Sequence, residues 1–105
     1  MKNDYNFLGL AKKANALYIG QDKVLFALNS NAEFFVLIST DISQTLLRKL
    51  HAKALNHSVT IIETNLTRGE LGSLLGINSS SIIAIEKSNP FAKKIKQIDI
   101  LQNNN

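Results

Sequence analysis

Five consecutive apolar residues, Phe34-Phe35-Val36-Leu37-Ile38, constrain this chain more than any other stretch of it. A strand with one face in water alternates apolar and polar side chains, so an unbroken run belongs to a strand covered on both faces. In a single small domain, helices on both sides of a sheet provide that cover. The flanking sequence supplies such helices. Phe7, Leu10, Ala11 and Ala14 recur at helical spacing and predict a first helix over 3–14. Ala16 to Ile19 reads as a short strand, and Val24, Ala27 and Leu28 give a second helix one apolar face, ending near Ser30-Asn31.

After the apolar run, Asp41-x-x-Gln44 resembles a capping box, with Ile42, Leu46 and Leu50 following at spacing four. Val59-Thr60-Ile61-Ile62 is rich in β-branched residues and predicts a third strand. Thr67-x-x-Glu70 is a second capping box ahead of Leu71, Leu74 and Leu75, and Gly76 suits the C′ position that ends this helix. Its glycines, Gly69, Gly72 and Gly76, imply a helix that packs closely or ends soon. Ser81-Ile82-Ile83-Ala84-Ile85 reads as the last strand. Asn89-Pro90 then opens a final helix with Phe91, Ile95 and Ile98 on one face. Strands alternating with helices predict one α/β domain over residues 1–101, a three-layer α/β/α sandwich with a four-stranded mixed sheet. Residues 102–105, Gln102-Asn103-Asn104-Asn105, read as a frayed tail.

Composition removes several kinds of chemistry. There are no cysteines, which excludes disulfides, thiolate metal sites and thiol catalysis. His51 and His57 lie six apart, not a zinc spacing on one helical face, and read as a solvated helix residue and a turn residue. Glu63 and Glu86 sit near strand ends, where α/β enzymes place reactive groups, but as strand-end solvation or salt bridges they need no catalytic role. Gly69-x-x-Gly72-x-x-x-Gly76 lacks the Lys-Ser/Thr pair of a phosphate loop. No enzyme signature and no cofactor or metal site emerges. No apolar run approaches the roughly 18 residues of a membrane span. The first residues, Met1 to Asn6, hold no apolar signal core, so a cytoplasmic protein is expected.

The positive candidates concern phosphate. Leu17-Tyr18-Ile19-Gly20-Gln21-Asp22-Lys23 joins a short strand to a helix through a glycine, which lets another backbone approach and leaves the first helical amides outward. Helix dipole and free N–H groups there favour phosphate, and the net charge of +4 agrees in sign. Lys23 in a first turn opposes the dipole, a cost that a phosphate would offset. Lys12 and Lys13 close the first helix as further phosphate partners. Asp22 reads as the cap of the second helix. Arg48, Lys49 and Lys53, and Lys87, Lys93, Lys94 and Lys96, read as solvated surface. The loop Gly76-Ile77-Asn78-Ser79-Ser80-Ser81 is a second candidate: Ile77 either packs on an unstacked base or caps the core, while the serines and amides reach phosphate or 2′-hydroxyl groups or form a simple turn.

Leu8-Gly9-Leu10-Ala11-Lys12-Lys13-Ala14, Ile19-Gly20, Glu70-Leu71-Gly72-x-x-x-Gly76 and Phe91-Ala92-Lys93-Lys94-Ile95 resemble, in order, the kink-turn-binding ribosomal-protein superfamily. That superfamily includes archaeal large-subunit protein seven-Ae and eukaryotic protein thirty-e, and the chain is most similar to its bacterial YlxQ-like branch. The resemblance implies an α/β/α sandwich that binds structured RNA without catalysis. It implies a helix end at Gly20, Gln21, Asp22 and Lys23 docked on a kinked internal loop with tandem sheared G·A pairs, and Ile77, Asn78 and Ser79 covering a protruding nucleotide. Where the family pattern reads Gly-x-Asn-Glu-x-x-Lys, this chain keeps only the glycine. Asp22 stands for an asparagine and, ionised, can only accept hydrogen bonds. Phe26 stands for a lysine and is either core or an exposed platform. Two functions are expected from this: an RNA-binding protein associated with ribosomes or translation, with a ribosomal or translation-factor protein as a further partner, or a protein–protein adaptor of the same fold that has lost specific kink-turn recognition.

Overall fold

The computed structural model describes residues 2–55 and 58–103. Among them run a short 3-10 helix, Lys2–Tyr5, and then α1 (Leu8–Lys13), β1 (Tyr18–Ile19), α2 (Gln21–Ala27), β2 (Phe34–Ile38), α3 (Gln44–Ala54), β3 (Val59–Glu63), α4 (Arg68–Leu75), β4 (Ile82–Glu86) and α5 (Ala92–Asn103). The sheet order is β1-β4-β2-β3, with β2 parallel to β3 and β4 antiparallel to both β1 and β2. The mixed four-stranded sheet of the sequence reading is therefore present.

The unbroken apolar run occupies β2, a central strand, and all five of its residues are buried. Phe34, Val36 and Ile38 pack with Val24 of α2, Leu28 just past its end, and Leu46 and Leu50 of α3. Phe35 and Leu37 pack on the opposite face with Leu8, Ala11, Leu71, Leu75 and Ile95 from α1, α4 and α5. β4 divides its side chains in the same way, Ile82 and Ala84 to one face and Ile83 and Ile85 to the other. Each large apolar side chain buried here contributes about 1.5–3 kcal/mol, which is why these strands tolerate no polar residue before their ends.

Several boundaries differ from the sequence reading. The first helix is not continuous over 3–14: a turn at Asn6-Phe7 separates the 3-10 helix from α1. That break coincides with Tyr5, Leu8 and Ala11 all being directed into the core. The first strand is shorter than Ala16–Ile19, because Asn15 (φ 57°) and the chain to Leu17 turn the backbone before β1 begins. α2 stops at Ala27, and a turn carries the chain to Ser30. Asp41 does not cap α3. Ser43 does, its hydroxyl accepting from Leu46 N at 3.1 Å, while Asp41 Oδ1 accepts from Arg68 N at 2.8 Å at the start of α4. The capping box on α4 forms as read: Thr67 Oγ1 accepts from Glu70 N and Glu70 Oε1 from Thr67 N. α5 includes Gln102 and Asn103, which the reading gave to the tail; Asn104 and Asn105 lie outside the described residues. His57 lies outside them as well.

Candidate nucleic-acid interface

β1, β2 and β3 point the same way, since β1 and β2 are both antiparallel to β4 and β3 is parallel to β2. Each is followed by a helix after a short connection, so α2, α3 and α4 all begin at one end of the sheet. Helix N-termini carry unpaired amides and roughly half a positive charge each, so this end favours anions before any side chain is counted. Sequence reasoning singled out only the first of the three. The signal for the others was present in the strand-then-helix order, but the strand directions needed the pairing.

Within that end, two segments meet at one corner. β1 pairs with β4 so that Ile19 faces Ile83, and Gly20 N donates to Ile82 O at 3.1 Å. The start of α2 therefore adjoins the loop that leads into β4. Gly20 has φ 94° and ψ 162°, a region essentially confined to glycine, and a Cβ built there would meet nothing within 4 Å. The glycine thus answers a backbone requirement and leaves open space beside it. Gln21, Asp22 and Lys23 follow in exposed positions. Asp22 is not the cap: Gly20 holds that position with no side-chain bond, and Asp22 lies one residue inside the helix, where its carboxylate favours the dipole.

The loop on the other side of the corner is shaped by how α4 ends. Gly76 adopts a left-handed conformation (φ 74°), Ile77 N donates to Gly72 O at 2.9 Å, and Gly76 N donates to Ser73 O at 3.2 Å. These paired bonds form a Schellman motif. The chain then folds back across the helix it has left. A Cβ on Gly72 would lie 2.5 Å from Ser79 Cα and 2.9 Å from Asn78 C, so the loop rests directly on the glycine. Ser80 fastens it, with its amide donating to Arg68 O and its hydroxyl to Ile82 O, both at 3.0 Å. Ile77 is half-buried and packs against the core, the second of the two roles read for it, whereas Asn78 and Ser79 are exposed.

Lys12 and Lys13 occupy the last turn of α1, ahead of β1, with Lys12 half-buried and Lys13 exposed. Lys87 is not plain solvated surface: its Nζ donates to Thr60 Oγ1 at 2.8 Å and lies 5.2 Å from the Phe35 ring centroid. Lys53 Nζ donates to Asn29 Oδ1, joining α3 to α2. Phe26, whose environment the sequence left open, is 79% exposed.

A cavity of about 530 Å³ at the same end of the sheet is lined by Ser39, Gln44, His51, Glu63 and Thr64. Thr64 Oγ1 is already engaged, donating to Ile38 O at 2.7 Å. Glu63 and Glu86 do not converge. Glu63 pairs with Ile38 at the end of β2, and Glu86 with Phe34 at its start, so they stand at opposite ends of the sheet. Among the described residues no group of three His, Asp or Glu side chains is placed to hold a metal ion, and no helix is long and apolar enough to cross a membrane.

A four-stranded mixed sheet between two helical layers, with an anion-favouring corner built from a glycine turn and a loop, defines a class of small α/β/α domains. Residues 3–96 match the family described as ribosomal protein L7Ae/L30e/S12e/Gadd45, and the chain belongs to that family. Among solved structures it is similar to a protein of unknown function from Bacillus halodurans, with 24% identity, a TM-score of 0.79, and coverage of 94% of this chain and 99% of that one. It is also similar to the Giardia lamblia 15.5kD RNA binding protein, with 16% identity, a TM-score of 0.69, and coverage of 92% and 81%. At these identities the two likenesses establish the fold. Comparison with curated proteins finds no match.

Proposed function

We propose that this chain is a non-enzymatic RNA-binding protein, associated with ribosomes or translation in the cytoplasm and belonging to the bacterial YlxQ-like branch of its family. It docks the Gly20–Lys23 end of α2 on kinked or irregular RNA. The observation that carries this reading is the Gly20–Ile82 register, which joins that helix end to the Asn78-Ser79 loop. Family membership and the RNA-binding protein among the structural neighbours support it further. On this reading the amides after Gly20 and the Lys23 ammonium take phosphate, and Gln21 and Asp22 meet the kinked strand. Asn78 and Ser79 cover a protruding nucleotide beside Ile77, and Lys12 and Lys13 add phosphate contacts from the end of α1. Binding favours the kinked RNA conformer by its differential affinity over the extended one.

Amide chemical-shift mapping tests the location. Titration with a kink-turn RNA is expected to perturb Gln21–Val24 and Asn78–Ser81 first. Perturbations confined to α5 and the Lys93–Lys96 surface would reject the corner.

One observation favours a second reading. The exposure of Phe26 suits a protein–protein adaptor of the same fold that has lost specific kink-turn recognition. That reading expects a defined protein complex that survives nuclease treatment and dissociates on Phe26→Ala.

A further inference from the structure

Phe26 is an aromatic ring that the fold does not use. α2 buries Val24 and Ala27 against the sheet, and Leu28 just past its end is buried too, which turns Phe26 to the opposite side of the helix, 79% exposed. The residues around it are polar and exposed: Asp22 and Lys23 one helical turn before it, and Asn29 and Ser30 in the turn that follows α2. Asn29 in turn holds the Lys53 ammonium from α3. The ring therefore stands on a ridge with a cation beyond each end, Lys23 toward Gly20 and Lys53 away from it. Among the described residues the other exposed large apolar ones, Leu10, Leu55, Ile100 and Leu101, lie outside α2.

Seated on a protein partner, a single ring among charged and polar groups would supply only a small part of the roughly 800 Å² per side that stable interfaces bury around an apolar centre. It suits a flat π-face whose attached groups are anionic. An unstacked nucleobase is such a partner, with its flanking phosphates directed to the cations. Phe26 lies about 9 Å along the helix axis from Gly20, at 1.5 Å per residue, so one RNA strand can reach both. Resting on the RNA-binding reading above, we propose that Phe26 is a stacking platform for an unpaired base of the bound RNA, flanked by Lys23 and Lys53 as phosphate partners.

The chain contains no tryptophan, so Phe26→Trp provides a single fluorescent reporter at the platform. The probes are a kink-turn RNA and the same RNA with its unpaired loop nucleotides made abasic. The expected result is quenching of the tryptophan emission by the first RNA and not by the second. Phe26→Ala is expected to weaken the first RNA by about tenfold or more and to leave the abasic RNA within about twofold. Circular dichroism confirms that each variant is folded, as expected for an exposed position. Equal affinity of wild type and Phe26→Ala for the intact RNA overturns the platform alone, as does an equal loss on both RNAs. A wild-type protein that binds neither RNA overturns the RNA-binding reading itself, and the platform with it.

Discussion

Gly72 and Ser79 touch backbone to backbone: a Cβ on the glycine would lie 2.5 Å from the serine Cα and 2.7 Å from its N. The contact links the interior of α4 to the exposed loop of the candidate interface, so one residue serves both packing and loop placement. Gly72→Ala gains up to about 1 kcal/mol of helix propensity. Against this, the methyl meets backbone, which cannot swing aside, and overpacking of this kind costs about 1–3 kcal/mol. The net expectation is destabilisation with a displaced loop, read as a lower denaturation midpoint and altered Asn78 and Ser79 amide shifts. Gly69 is the control, because a Cβ there meets only the Thr67 hydroxyl at 3.9 Å. Gly69→Ala is expected to be neutral or stabilising by a few tenths to about 1 kcal/mol. Equal effects of the two variants would contradict the loop-seating role.

Gly20 tests backbone strain apart from crowding. Its φ of 94° penalises an L side chain although the space beside it is open. Gly20→Ala is expected to lose about 1–3 kcal/mol of stability, with the start of α2 reshaped. RNA affinity should fall further in Gly20→Val than in Gly20→Ala, since the larger side chain also fills the open space. Thermal unfolding and RNA titration of both variants separate the two effects.

The Thr67–Glu70 capping box closes α4 reciprocally. Thr67→Ala is expected to cost about 1 kcal/mol in urea denaturation at unchanged m-value. A change below about 0.3 kcal/mol would mean that tertiary packing alone holds this helix end.

Asp41 carries a pH dependence. The Arg68 amide that donates to it holds its carboxyl below the usual carboxylate range, with the Arg68 charge adding in the same direction. A lowered folded-state pKa means that the carboxylate form stabilises the fold at neutral pH. This contribution is lost as pH falls through the depressed pKa, below the ordinary carboxylate value. Asp41→Asn is therefore expected to lower stability at pH 7 and to flatten its decline on acidification. Parallel pH–stability curves for wild type and variant would contradict this.

Local rules made much of the fold legible. The unbroken run at Phe34–Ile38 announced a strand covered on both faces, and Thr67-x-x-Glu70 announced a helix start, because both depend on neighbours in sequence. Asp41 was misread for the opposite reason. Its spacing to Gln44 fits a capping box, but the partner it takes, Arg68 N, lies 27 residues away, and Ser43 remains to cap α3. The same limit applies to the interface. Gly20 and the Gly76–Ser81 loop each stood out in sequence, yet their adjacency depends on β1 pairing with β4 across the fold. Phe26 was ambiguous until Val24 and Ala27 defined the buried face of α2.

The most direct test of the central claim is a binding titration against a kink-turn RNA and a control lacking its G·A pairs, each at two salt concentrations. The account expects preference for the kinked RNA at both, with affinity falling as salt rises because phosphate contacts release counterions. Equal and weak binding to the two RNAs would contradict it, leaving only the general attraction of a basic chain for a polyanion.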